Sequence, residues 1–198
     1  HESVESNRLQ IKKYHLFKIK DQKEMPSKNQ RVLDELLSKY YPDALKDGIR
    51  FEAMASFITT CFFEEFNYSR GWITKGSGDR GVDFVGKLKI GDNEMSQTSV
   101  IVLGQSKRYK DQISGEKVTR IASRMTRGYI GVVVTLGTIS IPAQREIYED
   151  KLPIILINGK KVTELLLNYM NEHRVSLEDL VMAQDDWAQE NIGGDNYN

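Results

Sequence analysis

The sequence holds one cysteine, Cys61, so no disulfide can form within the chain, and a reducing cytoplasm is the expected location. It lacks long apolar runs. The longest apolar-leaning stretch, residues 130–142, contains glycine and threonine and is too short to span a bilayer. No leader is expected at the start, because Lys12, Lys13, Lys18 and Lys20 interrupt every apolar run there. Net charge is missing as well. Lys plus Arg number 28 and Asp plus Glu number 28, which excludes a uniformly basic nucleic-acid binder but leaves room for a locally basic one. The histidines, His1, His15 and His173, show no metal-ligand spacing. Cys61 has no second cysteine or histidine placed to make it a ligand or nucleophile, and it reads as a small core residue. Internal repeats and low-complexity tracts are absent.

What remains is ordinary globular sequence: 198 residues, 39% apolar and 28% charged, enough for one domain with a small appendage. The chain begins with His1 in place of Met, so an excised or trimmed domain is the expectation. Charge is unevenly placed. Residues 8–31 carry eight Lys/Arg against two Asp/Glu, and residues 69–131 carry twelve against six. Residues 171–198 carry one Arg against seven acids. The middle segment can present a positive face to a polyanion. Three regions are expected: a basic segment 1–48 with one helix, read as a linker or the remnant of a recognition region; a core domain 49–182; and an acidic tail 183–198 that frays or lies on the surface.

Periodicity orders the elements. The segment Tyr14–Ile19 reads as linker or edge strand, and Ser27 can cap a helix through about Tyr40. Phe51 to Phe66 is a strongly apolar helix, and residues 71–81 are a glycine-rich loop. Val82–Ile90 and Thr98–Lys107 read as strands joined through the turn Gly91-Asp92-Asn93. A helix over Gly115–Arg127 precedes a β-branched strand near 130–136. A helix from Pro142 to Asp150, a strand over Pro153–Ile157 and a helix over Lys160–Glu172 follow. This order predicts an α/β fold, a mixed sheet flanked by helices on both faces, its first two strands antiparallel and its later ones parallel.

Gly76-Ser77-Gly78-Asp79-Arg80-Gly81 fits the dinucleotide fingerprint G-x-G-x-x-G. That motif needs a helix after it, and here the strand-like Val82-Asp83-Phe84-Val85 follows, so nucleotide binding is rejected. Asp83 itself stands out, because Asp is disfavoured in strands. Twenty-two residues on, the second strand ends in Gly104-Gln105-Ser106-Lys107, with Gln105 and Lys107 on one face. Pairing through the turn brings Asp83 near them. An Asp oxygen, the Gln105 amide oxygen and the Ser106 carbonyl suit a hard ion such as Mg²⁺, and Lys107 can orient a water and offset phosphorane charge. The same short pattern also reads as an ion-paired Asp on an exposed edge beside a surface Gln.

Five motifs in order narrow that choice: Phe51-Glu52; Gly71-Trp72; the run Gly76 to Phe84; Gly104-Gln105-Ser106-Lys107-Arg108-Tyr109; and the later Gly131-Val132-Val133-Val134-Thr135, Ala143-Gln144-Arg145 and Ile155-Leu156-Ile157-Asn158-Gly159. Over about Phe51 to Leu167 the chain resembles the Mrr-type branch of the PD-(D/E)xK nuclease superfamily, in its D…QxK variant. The resemblance implies a restriction-endonuclease-like fold and Mg²⁺-dependent hydrolysis of DNA. It implies that Asp83 and Gln105 are metal-site residues, that Lys107 is the catalytic lysine, and that Glu52 matches the helix Glu that completes the site. Gln105 replaces the usual acid and removes one negative charge, which weakens metal affinity until DNA phosphate joins the shell. Such domains occur in enzymes that cut modified DNA, where a separate domain reads methylated cytosine; no such reading domain is seen here.

Further residues are phosphate-contact candidates: Ser77, Arg80, Arg108 and Lys110 near the site, and Arg120 and Arg124 on a helix face shared with Lys117 and Arg127. That stripe reads equally as solvated charge, opposite the core-facing Val118, Ile121, Ala122 and Met125. The leading expectation is a type II-like restriction endodeoxyribonuclease acting on double-stranded DNA, cytosine-modified or not, and oligomeric on DNA because one site cuts one strand. The alternatives are a repair or junction-resolving nuclease, and a nuclease-fold module that binds DNA or protein without cutting.

Overall fold

In a computed structural model, the described residues are 15–43, 46–74, 81–92, 95–108, 110, 112–125 and 128–193, with the side chains of 116–119 also outside the description. Helix α1 covers Ile19–Lys23 and α2 Ser27–Glu35, which continues through a π-helical turn over Leu36–Tyr40. Helix α3 is Gly48–Phe62; strands β1, β2 and β3 are Asn67–Ile73, Phe84–Ile90 and Thr98–Lys107. Then come β4 (Gln112–Ile113), α4 (Gly115–Ala122), β5 (Tyr129–Thr135), β6 (Thr138–Ile139), α5 (Ile141–Glu149), β7 (Ile154–Ile157), α6 (Gly159–His173) and α7 (Leu177–Glu190).

The main sheet runs β1-β2-β3-β5-β7, and β4 and β6 form a small parallel pair. β1 to β2 and β2 to β3 are antiparallel; β3 to β5 and β5 to β7 are parallel. This is the mixed sheet that the order of periods predicts. Period-two alternation divides each strand between two cores. Phe84, Leu88, Val102, Val132 and Val134 pack with residues of α2, α3, α6 and α7. Leu103, Val133 and Ile154 pack with Ile121 of α4 and with Ala143 and Ile147 of α5. Helix α3 is apolar on nearly every side, with Phe51, Ala53, Met54, Ala55, Phe57 and Ile58 all buried, so it is the central helix of the first core.

Several expectations need correction. Residues 15–18 are not a strand; they lead into α1, and the Phe17 N–H donates to Gln144 Oε1 at 2.8 Å. Gln22, buried in α1, both donates to the Ile139 carbonyl and accepts from the Ile139 N–H, each at 2.8 Å, so this segment is fastened to β6. Val32, Leu33 and Leu36 enter the main core, so the described part of the basic segment is integral to the fold. Ser27 does not cap α2: the cap position is Pro26, which has no side-chain donor or acceptor. The apolar helix starts three residues before Phe51 and stops at Phe62, four before Phe66.

Five elements are additional: the short α1, β4 and β6, and the longer β1 and α7. β1 occupies Asn67–Ile73, partly inside the expected loop 71–81. α7 turns the acidic stretch into a packed helix up to Glu190, begun by a capping box in which Ser176 and Asp179 satisfy each other's backbone N–H. Leu177, Leu180, Val181, Gln184 and Ala188 recur at helical spacing and are buried. Its end is tied back: the Ile73 N–H donates to the Asn191 carbonyl at 2.9 Å. Among the described residues no helix is long and apolar enough to cross a membrane.

Candidate active site

One end of the sheet gathers the first turns of α3, the residue before β2 and the last residues of β3. The gathering depends on a glycine. Gly104 pairs with Phe84, and a Cβ at Gly104 would lie 2.1 Å from the Phe84 ring, which is fully buried. The absent side chain lets the ring lie flat over β3 and brings the strand ends together. Asp83 is then fixed by its backbone: its N–H donates to the Gly104 carbonyl at 2.8 Å, and its carbonyl accepts from the Thr74 N–H at 3.0 Å.

The Asp83 side chain is held by Ser106, whose N–H and hydroxyl donate to Oδ2 at 2.6 and 3.1 Å. Oδ1 accepts no hydrogen bond from a described residue. Burial raises the Asp83 pKa, while the Lys107 charge and the two Ser106 bonds pull it back. Glu52 is on α3, next to Phe51. Its carboxyl is pushed up to about 7, first by burial, then by the Asp83 charge, against the pull of Lys107. Glu52, Asp83, Ser106, Lys107 and Arg108 line one cleft of about 150 Å³ with Gly48 and Phe51.

Gln105 does not line that cleft. It is 1% exposed, and its Nε2 donates to the Gly81 carbonyl at 2.9 Å, while its Oε1 is buried with no hydrogen-bond partner among the described residues. An orphaned amide oxygen costs about 1–3 kcal/mol and calls for a partner. The resemblance in the sequence implies a divalent metal ion here. The donor set fits one. Asp83 and Glu52 bring two carboxylates, which are hard oxygen donors, to a cleft that Lys107 and Arg108 also line. Among the described residues no three of His, Cys, Asp and Glu group as metal ligands, so Asp83 and Glu52 are the two carboxylates of the cleft that would hold an ion.

The expected phosphate contacts are spread more widely. Arg108 lines the cleft, but its Nη1 donates to the Tyr41 carbonyl and its Nε is buried without a partner among the described residues. Lys110 lies 3.4 Å from Asp34 and lines a different cavity. Arg120 is exposed, and its Cβ lies 3.7 Å from where a Cβ at Gly81 would stand, beside the Gln105 anchor. Arg124 is half-buried with its Nε unpartnered, while Ile121 faces the core as expected. Ser77, Arg80, Tyr109 and Arg127 lie outside the described residues, as do the side chains of Lys117 and Val118.

Sequence reasoning missed the support behind Glu52. Arg50 donates to Asp185 of α7 through Nε and Nη2 at 3.0 and 2.7 Å, and to Asp47 through Nη1 at 2.8 Å. Its guanidinium lies 5.4 Å from the centre of the Tyr41 ring, which itself meets Phe51 edge-on. This network fastens the first turn of α3, two residues before Glu52, to α7. The Asp47–Arg50 spacing was readable; Asp185, 135 residues away, carried no signal.

The fold has relatives among solved structures. The MspJI restriction endonuclease in complex with a 27-mer oligonucleotide matches with a TM-score of 0.81 and 30% identity, over 92% of this chain and 41% of that one. AspBHI, a DNA modification-dependent restriction endonuclease, matches with a TM-score of 0.62 and 20% identity, over 90% of this chain and 44% of that one, a likeness of fold. The chain thus spans less than half the length of either. Among curated proteins none matches the sequence. The family model for the Mrr-type catalytic domain, described as restriction endonuclease, matches residues 48–166, more than half of the chain, and to that restriction endonuclease family the chain belongs.

Proposed function

We propose that this domain is a Mg²⁺-dependent, type II-like endonuclease that hydrolyses phosphodiester bonds of double-stranded DNA, and that it is the cleavage part of a modification-dependent restriction enzyme. The observation that carries the reading is the shared cleft of Glu52, Asp83 and Lys107. In this reading Asp83, Glu52 and Gln105, with the Ser106 carbonyl, hold the ion. The ion supplies Lewis-acid polarisation of the phosphate and lowers the pKa of a bound water. Asp83 is pre-positioned for this by its two bonds from Ser106. Lys107 orients the attacking water and offsets charge on the phosphorane-like transition state. Arg108, Arg120 and Arg124, with Ser77 and Arg80, contact backbone phosphates and carry no sequence information themselves.

Recognition of modified cytosine belongs to a part of the enzyme outside residues 49–182, and two protomers on DNA complete a double-strand break. A reducing cytoplasm is the setting we assign. The test is metal-dependent cutting of plasmid DNA that is lost with Asp83→Ala. Salt-sensitive DNA binding without turnover, in a folded protein, would point instead to a non-cutting module.

A further inference from the structure

A second cavity opens where β5 ends, on the side of the molecule formed by α1, α2 and the start of α6. It measures about 420 Å³, larger than the cleft at Asp83. Lys23, Lys110 and Lys160 line it, and among the described residues no Asp or Glu does. The three lysines come from different elements: the end of α1, the stretch after β3, and the first turn of α6. The remaining wall is neutral, with Gln30, Thr138 and the Gly137 backbone among its polar members. Lys23 makes no ion pair with a described residue. Lys160 Nζ reaches only the Asp21 carbonyl, at 3.4 Å, and Lys110 meets Asp34 at 3.4 Å in an exposed pair that contributes little. Positive charge in a concave wall with low-dielectric floor residues Leu33 and Leu136 focuses potential on an anion.

The cavity is joined to the catalytic end of the sheet. Lys110 follows Lys107 by three residues, and the Leu136 N–H donates to the Lys107 carbonyl at 3.3 Å. We propose that this lysine-lined cavity is a second phosphate site, which takes a backbone phosphodiester of the DNA strand that crosses the Asp83 cleft. The proposal rests on the nuclease reading above. It adds a grip on the flanking strand, independent of base sequence, to which Lys23 of the segment 1–48 and Lys110 and Lys160 of the core domain contribute.

The test uses the 198-residue chain with Ca²⁺ in place of Mg²⁺ and a labelled duplex, and reads Kd against salt. The slope of log K against log salt falls by roughly 0.9 for each phosphate that the protein no longer neutralises. Lys23→Gln/Lys160→Gln, which removes the one phosphate contact, should therefore flatten it by about 0.9. Lys87→Gln/Lys151→Gln, a change at two exposed lysines that line neither cavity, should leave it near the parent value and so controls for net charge. An unchanged slope in the double variant, with the parent still binding, overturns the second site alone. A parent that binds no DNA overturns this proposal and the nuclease reading together. Titration with inorganic phosphate separates the source of the anion: tight phosphate binding that disappears in the double variant, with the DNA slope unchanged, would make the cavity a free-anion site and contradict a DNA contact.

Discussion

Ser106 holds Asp83 by two bonds to one oxygen, the backbone N–H at 2.6 Å and the hydroxyl at 3.1 Å, and so commits one face of the carboxylate while the other stays open. Ser106→Ala removes only the hydroxyl bond. The expected cost is about 0.5–1.5 kcal/mol of stability. Looser placement of Asp83 should raise the Mg²⁺ concentration needed for half-maximal cleavage several-fold and leave DNA affinity in EDTA unchanged. Cleavage rate measured across a Mg²⁺ series checks this.

Lys107 ends β3 and faces both carboxylates of the cleft. If it assists the attacking water, Lys107→Ala lowers the single-turnover rate by on the order of 100- to 10,000-fold. Binding of duplex DNA should change little, since one lysine among many basic residues contributes modestly to affinity. Anisotropy and quench-flow on the same variant separate the two.

Glu52 gives a pH signature with a defined sign. Its carboxyl titrates at about 7 in the folded protein against 4.5 ordinarily, and burial is the main cause. Between those values the folded state holds more protons than the unfolded state, so stability without metal is highest at low pH in this window and falls as pH rises through 7. Asp83, also raised, adds with the same sign. The expected loss for Glu52 is of order 2 kcal/mol. Thermal melts in EDTA at pH 5.5 and pH 8 should show it. Glu52→Gln should remove most of the difference, and Mg²⁺ should raise Tm at pH 8 in the parent far more than in that variant.

Gly104→Ala tests the packing that builds the site. A Cβ there would stand 2.1 Å from a Phe84 ring with no exposed surface, so the ring or β3 must shift. Overpacking of this kind costs roughly 1–3 kcal/mol. Denaturant midpoints should fall accordingly. Phe84→Leu in the same chain should recover part of the loss, because a smaller side chain makes the room that Ala needs.

Much of this was readable in the residues, for physical reasons that differ by element. β3 announced both its ends, because β-branched residues alternate up to a chemically distinct Gln-Ser-Lys. The Asp83, Glu52 and Lys107 convergence followed from motif order. β1 did not show itself: it is an edge strand with mostly half-exposed residues and Gly71 inside it, so no period-two contrast marks it. α7 had the right spacing of Leu177, Leu180, Val181 and Gln184, but its acids outweighed the pattern in a reading by composition. The Ser176 and Asp179 capping box was the signal that would have found it. The Arg50–Asp185 pair depends on that helix, so it was lost with it. Gln105 was expected beside Lys107 in the cleft, and its buried position facing Gly81 depends on the loop geometry around Gly81, which no spacing rule encodes.

The central claim is that the cleft at Asp83 cuts DNA with a divalent ion. The direct measurement is conversion of supercoiled plasmid, unmethylated and cytosine-methylated, by the chain in Mg²⁺ and in EDTA, beside Lys107→Ala. The account predicts nicked and linear products in Mg²⁺ only, and none from the variant. Equal cutting by Lys107→Ala, or cutting that persists in EDTA, would contradict it.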